Sequence, residues 1–223
     1  MKPLTDCHLY TFVDTAYLNG RSVSEVAMAL CLGGSDLIQL RAKNSTKAEV
    51  EQMAQQILPI TRAANVGLVI NDHLDVARRV GADICHLGQE DFFDAGYTHV
   101  KELSLGEQDP LIGLSTHAPD QAIRAVAAQS DYVAMGPVYA TATKPATLPV
   151  GLDYVRWAAG NVTIPWFAIG GINFKTVEAV LDAGANRICV VSAILNAPDI
   201  AESCARMKSF IDSHAIPSRV GNH

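Results

Sequence analysis

Short apolar runs alternate along the chain with stretches in which apolar residues recur every three or four positions. A short apolar run that ends in polar residues is typical of a buried strand, and the longer spacing is typical of an amphipathic helix. The pattern predicts strands at residues 8–13, 37–40, 68–70, 84–87, 111–114, 132–135, 166–169 and 187–191. It predicts helices at residues 23–32, 48–64, 74–80, 119–129, 152–159, 174–183 and about 200–211, and a short helix near 100–105 within an irregular segment, 92–110.

Local signals support several of these helix ends. Ser22 is a candidate N-cap for the helix at 23–32, and Gly33 is a candidate stop. Pro119 suits the first turn of the helix that follows it, because proline lacks an N–H that would have no partner there. Asn173 is a candidate cap for the helix at 174–183.

Strands that alternate with helices in this way predict a parallel sheet. Eight such strands close a TIM barrel, so the predicted fold class is α/β, a TIM (β/α)8 barrel. The alternative is an open doubly wound sheet, which normally has a GxGxxG turn after its first strand; this chain has none. We expect one domain over residues 1–223, with 193–223 forming a final helix and a frayed tail.

The strands at 68–70 and 84–87 are joined by a predicted helix and therefore run parallel. Asp72 and Asp91 follow these two strands, so both should emerge from the same edge of the sheet. Two carboxylates held there suit Mg²⁺, which keeps several waters and usually shares its shell with substrate phosphates. The alternative is that both are solvated loop acids or helix caps.

The ends of the last two strands suggest a phosphate site. Gly170 and Gly171 follow the seventh strand, and Ser192 and Ala193 follow the eighth. Loops at these places in a barrel commonly bind phosphate through backbone N–H groups. The alternative is that the glycines only form a tight turn.

Three cations fall on the same predicted face: Arg41, Lys43 and Lys144. Together they could neutralise a diphosphate, although a single loop cation is usually just solvated. Lys144 lies in a polar segment, 139–150, which is either a lid over the barrel mouth or a disordered connection. His117 could be a general acid or base or a helix-start residue, and these alternatives stay open. His86 is predicted to be a structural hydrogen-bonding residue.

Composition narrows the class of partner. The 223 residues carry a net charge of −6, and 49% of them are hydrophobic. This indicates a soluble globular protein and argues against nucleic acid or a membrane surface as a partner. The first ten residues lack the apolar region of a signal peptide, which predicts a cytoplasmic protein. The sequence leaves a homo-oligomer open.

Several short motifs lie at or just after the predicted strand ends. They are QLRAK (39–43), VINDHLDVA (69–77), HLGQED (86–91), GLSTH (113–117), GPVYATATK (136–144), AIGGI (168–172) and VVSAI (190–194). In this order they closely resemble the motifs of thiamine-phosphate synthases. The resemblance runs from about residue 37 to residue 194.

The resemblance implies a TIM barrel that joins hydroxymethylpyrimidine diphosphate to a thiazole phosphate and releases thiamine phosphate and pyrophosphate. It implies Mg²⁺ as the cofactor, on Asp72 and Asp91. The residues implied to contact the pyrimidine diphosphate are Gln39, Arg41, Lys43, Asn71, Ser115 and Lys144. The residues implied for the thiazole phosphate are Thr141, Thr143, Gly171, Val191 and Ser192. Arg41, Lys43, Ser115 and Lys144 are the candidate catalytic residues.

Two other functions are weighed against this one. A related branch of the same barrel family isomerises the thiazole phosphate without the metal pair, and the presence of Asp72, Asp91 and Lys144 disfavours it. A non-catalytic phosphate-binding barrel would need fewer charged groups at one face, although the fold alone would permit it.

Overall fold

The computed structural model describes residues 1–106, 108–141 and 148–214. Within these ranges, parallel strands follow one another in chain order around a closed barrel, and the last strand pairs with the first. The strands are β1 Leu9–Asp14, β2 Leu37–Arg41, β3 Gly67–Asn71, β4 Ile84–Gly88, β5 Leu111–Thr116, β6 Tyr132–Met135, β7 Trp166–Ala168 and β8 Ile188–Cys189. The predicted TIM barrel is confirmed.

Helices follow the strands and cover the outside of the barrel. They are α1 Val23–Leu32, α2 Lys47–Ala63, α3 Leu74–Val80, α4 Gln89–Asp94, α5 Pro119–Ala127, α6 Gly151–Asn161, α7 Val177–Asp182, α8 Ser192–Leu195 and α9 Ile200–His214. A 3₁₀ turn occupies Val100–Leu103. No helix in the described part of the chain is long and apolar enough to cross a membrane.

The strands are mostly apolar and are buried on both faces, because the barrel interior covers one face and the helices cover the other. All six residues of β1 are buried, for example. Two of the longer helices begin where a short polar side chain accepts a free N–H group of the first turn. Ser22 forms a capping box with Glu25 at α1, and Thr46 forms one with Glu49 at α2.

The structure corrects several predicted elements. The segment after β4 is not irregular at its start, because Gln89–Asp94 forms α4 and Asp91 lies in its first turn. Asn173 does not cap α7: the cap position is Thr176, and the Asn173 side chain instead accepts the Lys175 N–H. The predicted loop at Ser192 is the start of α8. Most other predicted ends differ by one to three residues, the scale on which local signals are weakest.

Three aromatic rings fill the middle of the barrel. Tyr10, Tyr132 and Phe167 meet edge to face in pairs, with ring centroids 5.4–6.0 Å apart. Tyr132 reaches this position because β5 has Gly113 beside it: a Cβ there would lie 2.1 Å from the tyrosine ring. Of these rings, Tyr10 also lines a cavity at the carboxyl ends of the strands.

Candidate active site

The cavity opens where the strands end, and alternate strand positions line it. Side chains on a strand point alternately inward and outward, so every second residue of β1, β2, β4 and β5 faces the barrel axis. The strand residues that line the cavity include Tyr10, Phe12, Gln39, Arg41, Asn71, His86, Gly88, Ser115, Thr116, Ala134 and Cys189. The segments after the strands, including the first turns of α4 and α8, add Lys43, Asp72, Glu90, Asp91, His117, Thr141, Gly170, Gly171, Val191 and Ser192. The predicted residues that lie in the described ranges therefore come together in one place.

Asp72 lies just beyond β3 in the left-handed region, with φ of +66°. Few residues other than glycine adopt this conformation, although aspartate does so more often than most. The Asp72 N–H donates to the carbonyl of His86 on the adjacent strand, which fixes the turn. Its Oδ2 lies 2.5 Å from Lys43 Nζ, so the carboxylate has a cationic neighbour at the barrel mouth.

Asp91 reaches the same cavity from α4. Its carboxylate folds back against Gly88, where a Cβ would lie 2.7 Å from Asp91 Oδ2. A larger residue at position 88 would push this carboxylate away from the strand end. Gly88 is therefore the local reason that Asp91 can lie at the cavity.

The carboxylates of Asp72 and Asp91 suit Mg²⁺ better than they suit a metal ion whose ligands are all protein side chains. No group of three or more His, Cys, Asp or Glu side chains within residues 1–106, 108–141 and 148–214 could hold a metal ion. Asp72 and Asp91 nevertheless line one cavity with cationic side chains. Mg²⁺ is usually bound by one or two carboxylates together with waters and substrate phosphates, so this donor set suits it.

Arg41 is positioned by a residue that the sequence pattern did not single out. Its Nη1 donates to Oδ2 of Asp14 at 2.8 Å, and the Asp14 side chain is 1% exposed. Asp14 and Arg41 are paired residues on β1 and β2. A buried carboxylate thus fixes the direction of the guanidinium along the cavity wall.

Ser115 stands at the end of β5 with its hydroxyl buried. Ser115 Oγ has no hydrogen-bond partner among the described residues. Buried polar groups in folded proteins are almost always paired, so an orphan of this kind at a cavity wall points to a ligand.

A chain of polar side chains crosses the cavity floor. Gln39 Nε2 donates to Tyr10 Oη at 2.5 Å, and Tyr10 Oη lies 3.1 Å from Tyr132 Oη. Tyr132 Oη in turn lies 2.8 Å from Nδ1 of His86. Burial raises the pKa of both tyrosines well above the usual value, so both hydroxyls keep their protons.

His117 is tied to the neighbouring strand end. Its Nδ1 bonds the carbonyl of Gly136, and its backbone N–H donates to Gln121 Oε1 at 2.7 Å. It lies two residues before the start of α5 and also lines the cavity. The ring therefore joins β5 to the segment after β6, and the two alternatives for its role stay predictions.

The glycines after β7 serve close packing as well as the cavity. Gly170 and Gly171 have φ of +103° and +66°. A Cβ at Gly170 would lie 2.4 Å from Pro137, and one at Gly171 would lie 2.7 Å from Tyr139. Gly170 and Gly171 therefore form the tight turn that was the alternative to a phosphate site, and both also line the cavity. Val191 and Ser192 line it at the start of α8, where the first helical N–H groups have no partner within a helix.

Thr141 also lines the cavity, at the start of the predicted lid. Thr143 and Lys144 lie outside the described residues, as does half of the segment predicted as a lid. Their predicted roles therefore stay predictions.

Sequence reasoning missed Tyr10 and Phe12, which line the cavity. It also missed Asp14 and Tyr132, whose side chains bond the cavity residues Arg41 and His86. The signal was present: in a barrel strand, residues two apart share a face, so Tyr10, Phe12 and Asp14 all point inward. His86 does form a hydrogen bond as expected, but it lies at the cavity as well.

The closed barrel and the polar groups at its carboxyl end define a TIM-barrel enzyme that acts on a small molecule. Comparison with known proteins agrees. A family model described as thiamine monophosphate synthase matches residues 9–194. The thiamine-phosphate synthase of Halalkalibacterium halodurans is 37% identical over 216 residues, covering 96% of this chain and all of the relative. That of Thermus thermophilus is 44% identical over 168 residues, covering 75% of this chain and 78% of the relative.

A solved structure gives the same result. Thiamine phosphate pyrophosphorylase from Pyrococcus furiosus superposes with a TM-score of 0.85 at 27% identity, covering 96% of this chain and all of the other. A 3-hexulose-6-phosphate synthase shares the fold at a TM-score of 0.60 and 19% identity. The chain belongs to the thiamine monophosphate synthase family.

Proposed function

We propose that this cavity joins hydroxymethylpyrimidine diphosphate to a thiazole phosphate, forming thiamine phosphate and pyrophosphate. Thiamine-phosphate synthase activity, which makes the chain a transferase of thiamine biosynthesis, follows from its family. The observation that supports the detailed proposal is the shared cavity. The proposed metal ligands Asp72 and Asp91, the cations of Arg41 and Lys43 and an unpaired buried hydroxyl line it together.

The proposed reaction breaks the bond between the pyrimidine methylene carbon and the diphosphate oxygen. The electron pair stays on the leaving diphosphate, and the thiazole nitrogen then bonds to the same carbon. Asp72 and Asp91 would hold Mg²⁺, which when bound supplies positive charge to the leaving diphosphate. No protein nucleophile takes part in this scheme.

Arg41 and Lys43 stabilise the charge that grows on the leaving group. The planar guanidinium of Arg41, oriented by Asp14, can meet two phosphate oxygens at once. Lys43 Nζ lies 2.5 Å from Asp72 Oδ2, so its charge stands beside a proposed metal ligand, in the cavity proposed to hold the diphosphate. Lys144 is proposed to add a third cation.

The pyrimidine ring is held by uncharged groups. Gln39 lies at the cavity floor, and its amide can bond the polar edge of the ring. Ser115 supplies the unpaired hydroxyl at the wall. Asn71, at the end of β3, contacts the same substrate from the neighbouring strand.

The thiazole phosphate is proposed to bind across the barrel mouth from the metal. Gly171, Val191 and Ser192 line that side, where backbone N–H groups can meet phosphate oxygens. Thr141 and Thr143 would close the site from the segment after β6. Holding both substrates in line reduces the entropy cost of their reaction.

One assay tests this function. Purified protein is given both substrates with and without Mg²⁺, and thiamine phosphate and pyrophosphate are measured. We expect equal amounts of the two products, and only with the metal. The Asp72→Asn variant should lower kcat/KM about 100-fold, because a charged group at the reacting centre is lost.

Asp75→Asn is the matched control. Asp75 lies on α3, where it pairs with Lys47 and Arg79. The Asp75→Asn variant should keep the wild-type kcat/KM and unfold at nearly the wild-type temperature. Full turnover without divalent metal, or in the Asp72 variant, would contradict the proposal. Isomerised thiazole phosphate without pyrophosphate would favour the isomerase instead.

A further inference from the structure

The polar chain on the cavity floor connects two residues that both line the cavity. Gln39 and His86 come from β2 and β4, and Tyr10 and Tyr132 bridge them from β1 and β6. The three hydrogen bonds span 2.5, 3.1 and 2.8 Å. Four strands therefore contribute to one continuous line of donors and acceptors.

The direction of this line follows from counting hydrogens. The amide nitrogen Nε2 of Gln39 can only donate hydrogen bonds, so Tyr10 Oη accepts from it. The single Tyr10 hydrogen then has Tyr132 Oη as its neighbour. If Tyr10 donates there, Tyr132 donates in turn to Nδ1 of His86, and every buried hydroxyl hydrogen has an acceptor. The neutral imidazole of His86 then carries its proton on Nε2.

Within this line of four described side chains, the opposite direction is the other arrangement in which every hydrogen has an acceptor. It requires the Gln39 amide to rotate so that its oxygen faces Tyr10. Both hydroxyls then donate the other way, and the imidazole proton moves to Nδ1 of His86. The amide of Gln39 and the tautomer of His86 are thus coupled through two tyrosines.

This coupling bears on recognition of the substrate and rests on the proposed function. With Nε2 donating to Tyr10, Gln39 can offer its amide oxygen to a bound molecule, and that oxygen accepts from an amino group. With the amide reversed, its NH₂ group would face the cavity and would donate to an oxo group instead.

We infer that Tyr10 and Tyr132 are positioning residues that fix Gln39 as a hydrogen-bond acceptor and thereby select an aminopyrimidine over its oxo counterpart. Neither tyrosine needs to touch the reacting atoms. Their rings are held in place by the aromatic contacts in the barrel, and Gly113 leaves the space that Tyr132 occupies. Their raised pKa values keep both hydroxyls available as donors.

The test compares binding of two pyrimidine monophosphates, one with the amino group and one with an oxo group in its place. Inhibition constants are measured rather than turnover, because the amino group also changes the reactivity of the ring. In Tyr132→Phe, which keeps the ring and removes the hydroxyl, the preference for the amino compound should fall at least about tenfold. Tyr10→Phe removes the hydroxyl that bonds Gln39 directly and should lower the preference in the same way.

Tyr154→Phe is the matched control. Tyr154 is also a buried tyrosine, and its hydroxyl bonds Thr116 and the Ala118 carbonyl. Losing that hydroxyl should lower the melting temperature and leave the amino-to-oxo preference unchanged. A fall in preference as large as that of Tyr132→Phe would overturn the inference.

A second measurement reads the coupling directly. In protein labelled with ¹⁵N-histidine, the ring nitrogens of His86 are assigned by comparison with His86→Asn. We expect the Nε2–H tautomer in the wild type and a mixture of tautomers in Tyr132→Phe and Tyr10→Phe. Unchanged tautomer and unchanged preference in both variants would overturn the inference. A wild type that makes no thiamine phosphate would instead defeat the proposed function, and the ¹⁵N spectra would still decide on the coupling.

Discussion

The buried hydroxyl of Ser115 shows how a single residue can favour binding over stability. A buried hydroxyl without a partner costs about 1–3 kcal/mol of folding free energy. Ser115 Oγ is in this position among the described residues, at the wall of the cavity. A ligand that bonds this oxygen would offset the cost, so the penalty in the free protein adds to selectivity for the ligand.

We therefore predict opposite effects of Ser115→Ala on stability and activity. The free energy of unfolding should stay the same or rise by about 1 kcal/mol, because an unsatisfied group is removed. The value of kcat/KM should fall about 10- to 100-fold, because one hydrogen bond to the substrate is lost. Urea unfolding and steady-state kinetics measure the two quantities.

Ser130→Ala is the control for this prediction. Ser130 is also buried, but its hydroxyl donates to the Ala125 carbonyl at 3.0 Å. Its replacement should reduce stability by about 1 kcal/mol and leave kcat/KM unchanged. Loss of stability in Ser115→Ala comparable to that of Ser130→Ala would show that Ser115 is paired in solution.

At the scale of the elements, neighbouring strands depend on each other through single residues. Gly113 on β5 leaves room for the Tyr132 ring of β6, and Asp14 on β1 fixes Arg41 on β2. Gly88 at the end of β4 similarly makes room for Asp91 on α4. In each case one element supplies space or charge that another needs.

Gly113→Ala tests this dependence. The added Cβ would lie 2.1 Å from the Tyr132 ring, so a fully buried aromatic side chain would have to move. Overpacking of this kind destabilises a protein by about 1–3 kcal/mol. Denaturant unfolding should show this loss, and the displaced Tyr132 should also weaken binding of the pyrimidine substrate.

Gly160→Ala is a control with the opposite sign. Gly160 lies in α6, and no described atom is within 4 Å of the position of an added Cβ. Alanine is a better helix former, so stability should rise by about 0.5–1 kcal/mol. A Gly113→Ala protein as stable as the wild type would mean that Tyr132 is not confined by β5.

At the scale of the whole molecule, one buried carboxylate, Asp36, joins several chain segments at the end of the barrel opposite the cavity. Asp36 accepts hydrogen bonds from Lys2 Nζ at 2.7 Å and from the N–H groups of His8 and Leu9 at 2.8 and 3.0 Å. Lys208 of α9 lies 3.4 Å away. Residues near both ends of the chain thus meet at Asp36, whose side chain is fully buried.

These contacts set a pH dependence of stability. Burial raises the pKa of Asp36, but the hydrogen bonds from Lys2, Leu9 and His8 lower it by more, so the net pKa lies below the ordinary value of 3.8. A lowered pKa in the folded state stabilises the protein above the unfolded-state pKa, and that stability is lost as the pH falls through the folded value. The contribution of Asp36 should therefore be full at pH 7 and should decline below about pH 4.

Asp36→Asn should lower the free energy of unfolding by about 3 kcal/mol at neutral pH. The difference from wild type should shrink at about pH 3, because the unfolded chain then binds a proton at Asp36 more readily than the folded protein does. Urea unfolding at the two pH values measures both. Asp212→Asn, which removes a half-exposed partner of Lys208, should cost less than about 1 kcal/mol. A difference between Asp36→Asn and wild type that does not change with pH would contradict this account.

Some expectations about the whole molecule stay predictions. They are a single domain over residues 1–223, a cytoplasmic location and a homo-oligomer. The roles of Thr143 and Lys144 stay predictions as well, because both residues lie outside the described part of the chain.

The sequence by itself determined the barrel, the side on which its chemistry lies and the family. Apolar runs that are buried on both faces, separated by amphipathic helices, allow few arrangements other than a parallel barrel. In such a barrel every strand end lies on one face, so Gln39, Arg41, Asp72 and Ser115 had to converge there. Local order along the chain was enough for these conclusions.

Only the tertiary structure decided which side chains face each other across strands. The partnership of Asp14 with Arg41, the space that Gly113 leaves for Tyr132 and the hydrogen-bonded line from Gln39 to His86 join residues far apart in sequence. These contacts depend on the register of neighbouring strands, and a shift of one residue would turn each side chain to the opposite face. Periodicity along one strand carries no information about that register, which is set by the packing of the whole barrel.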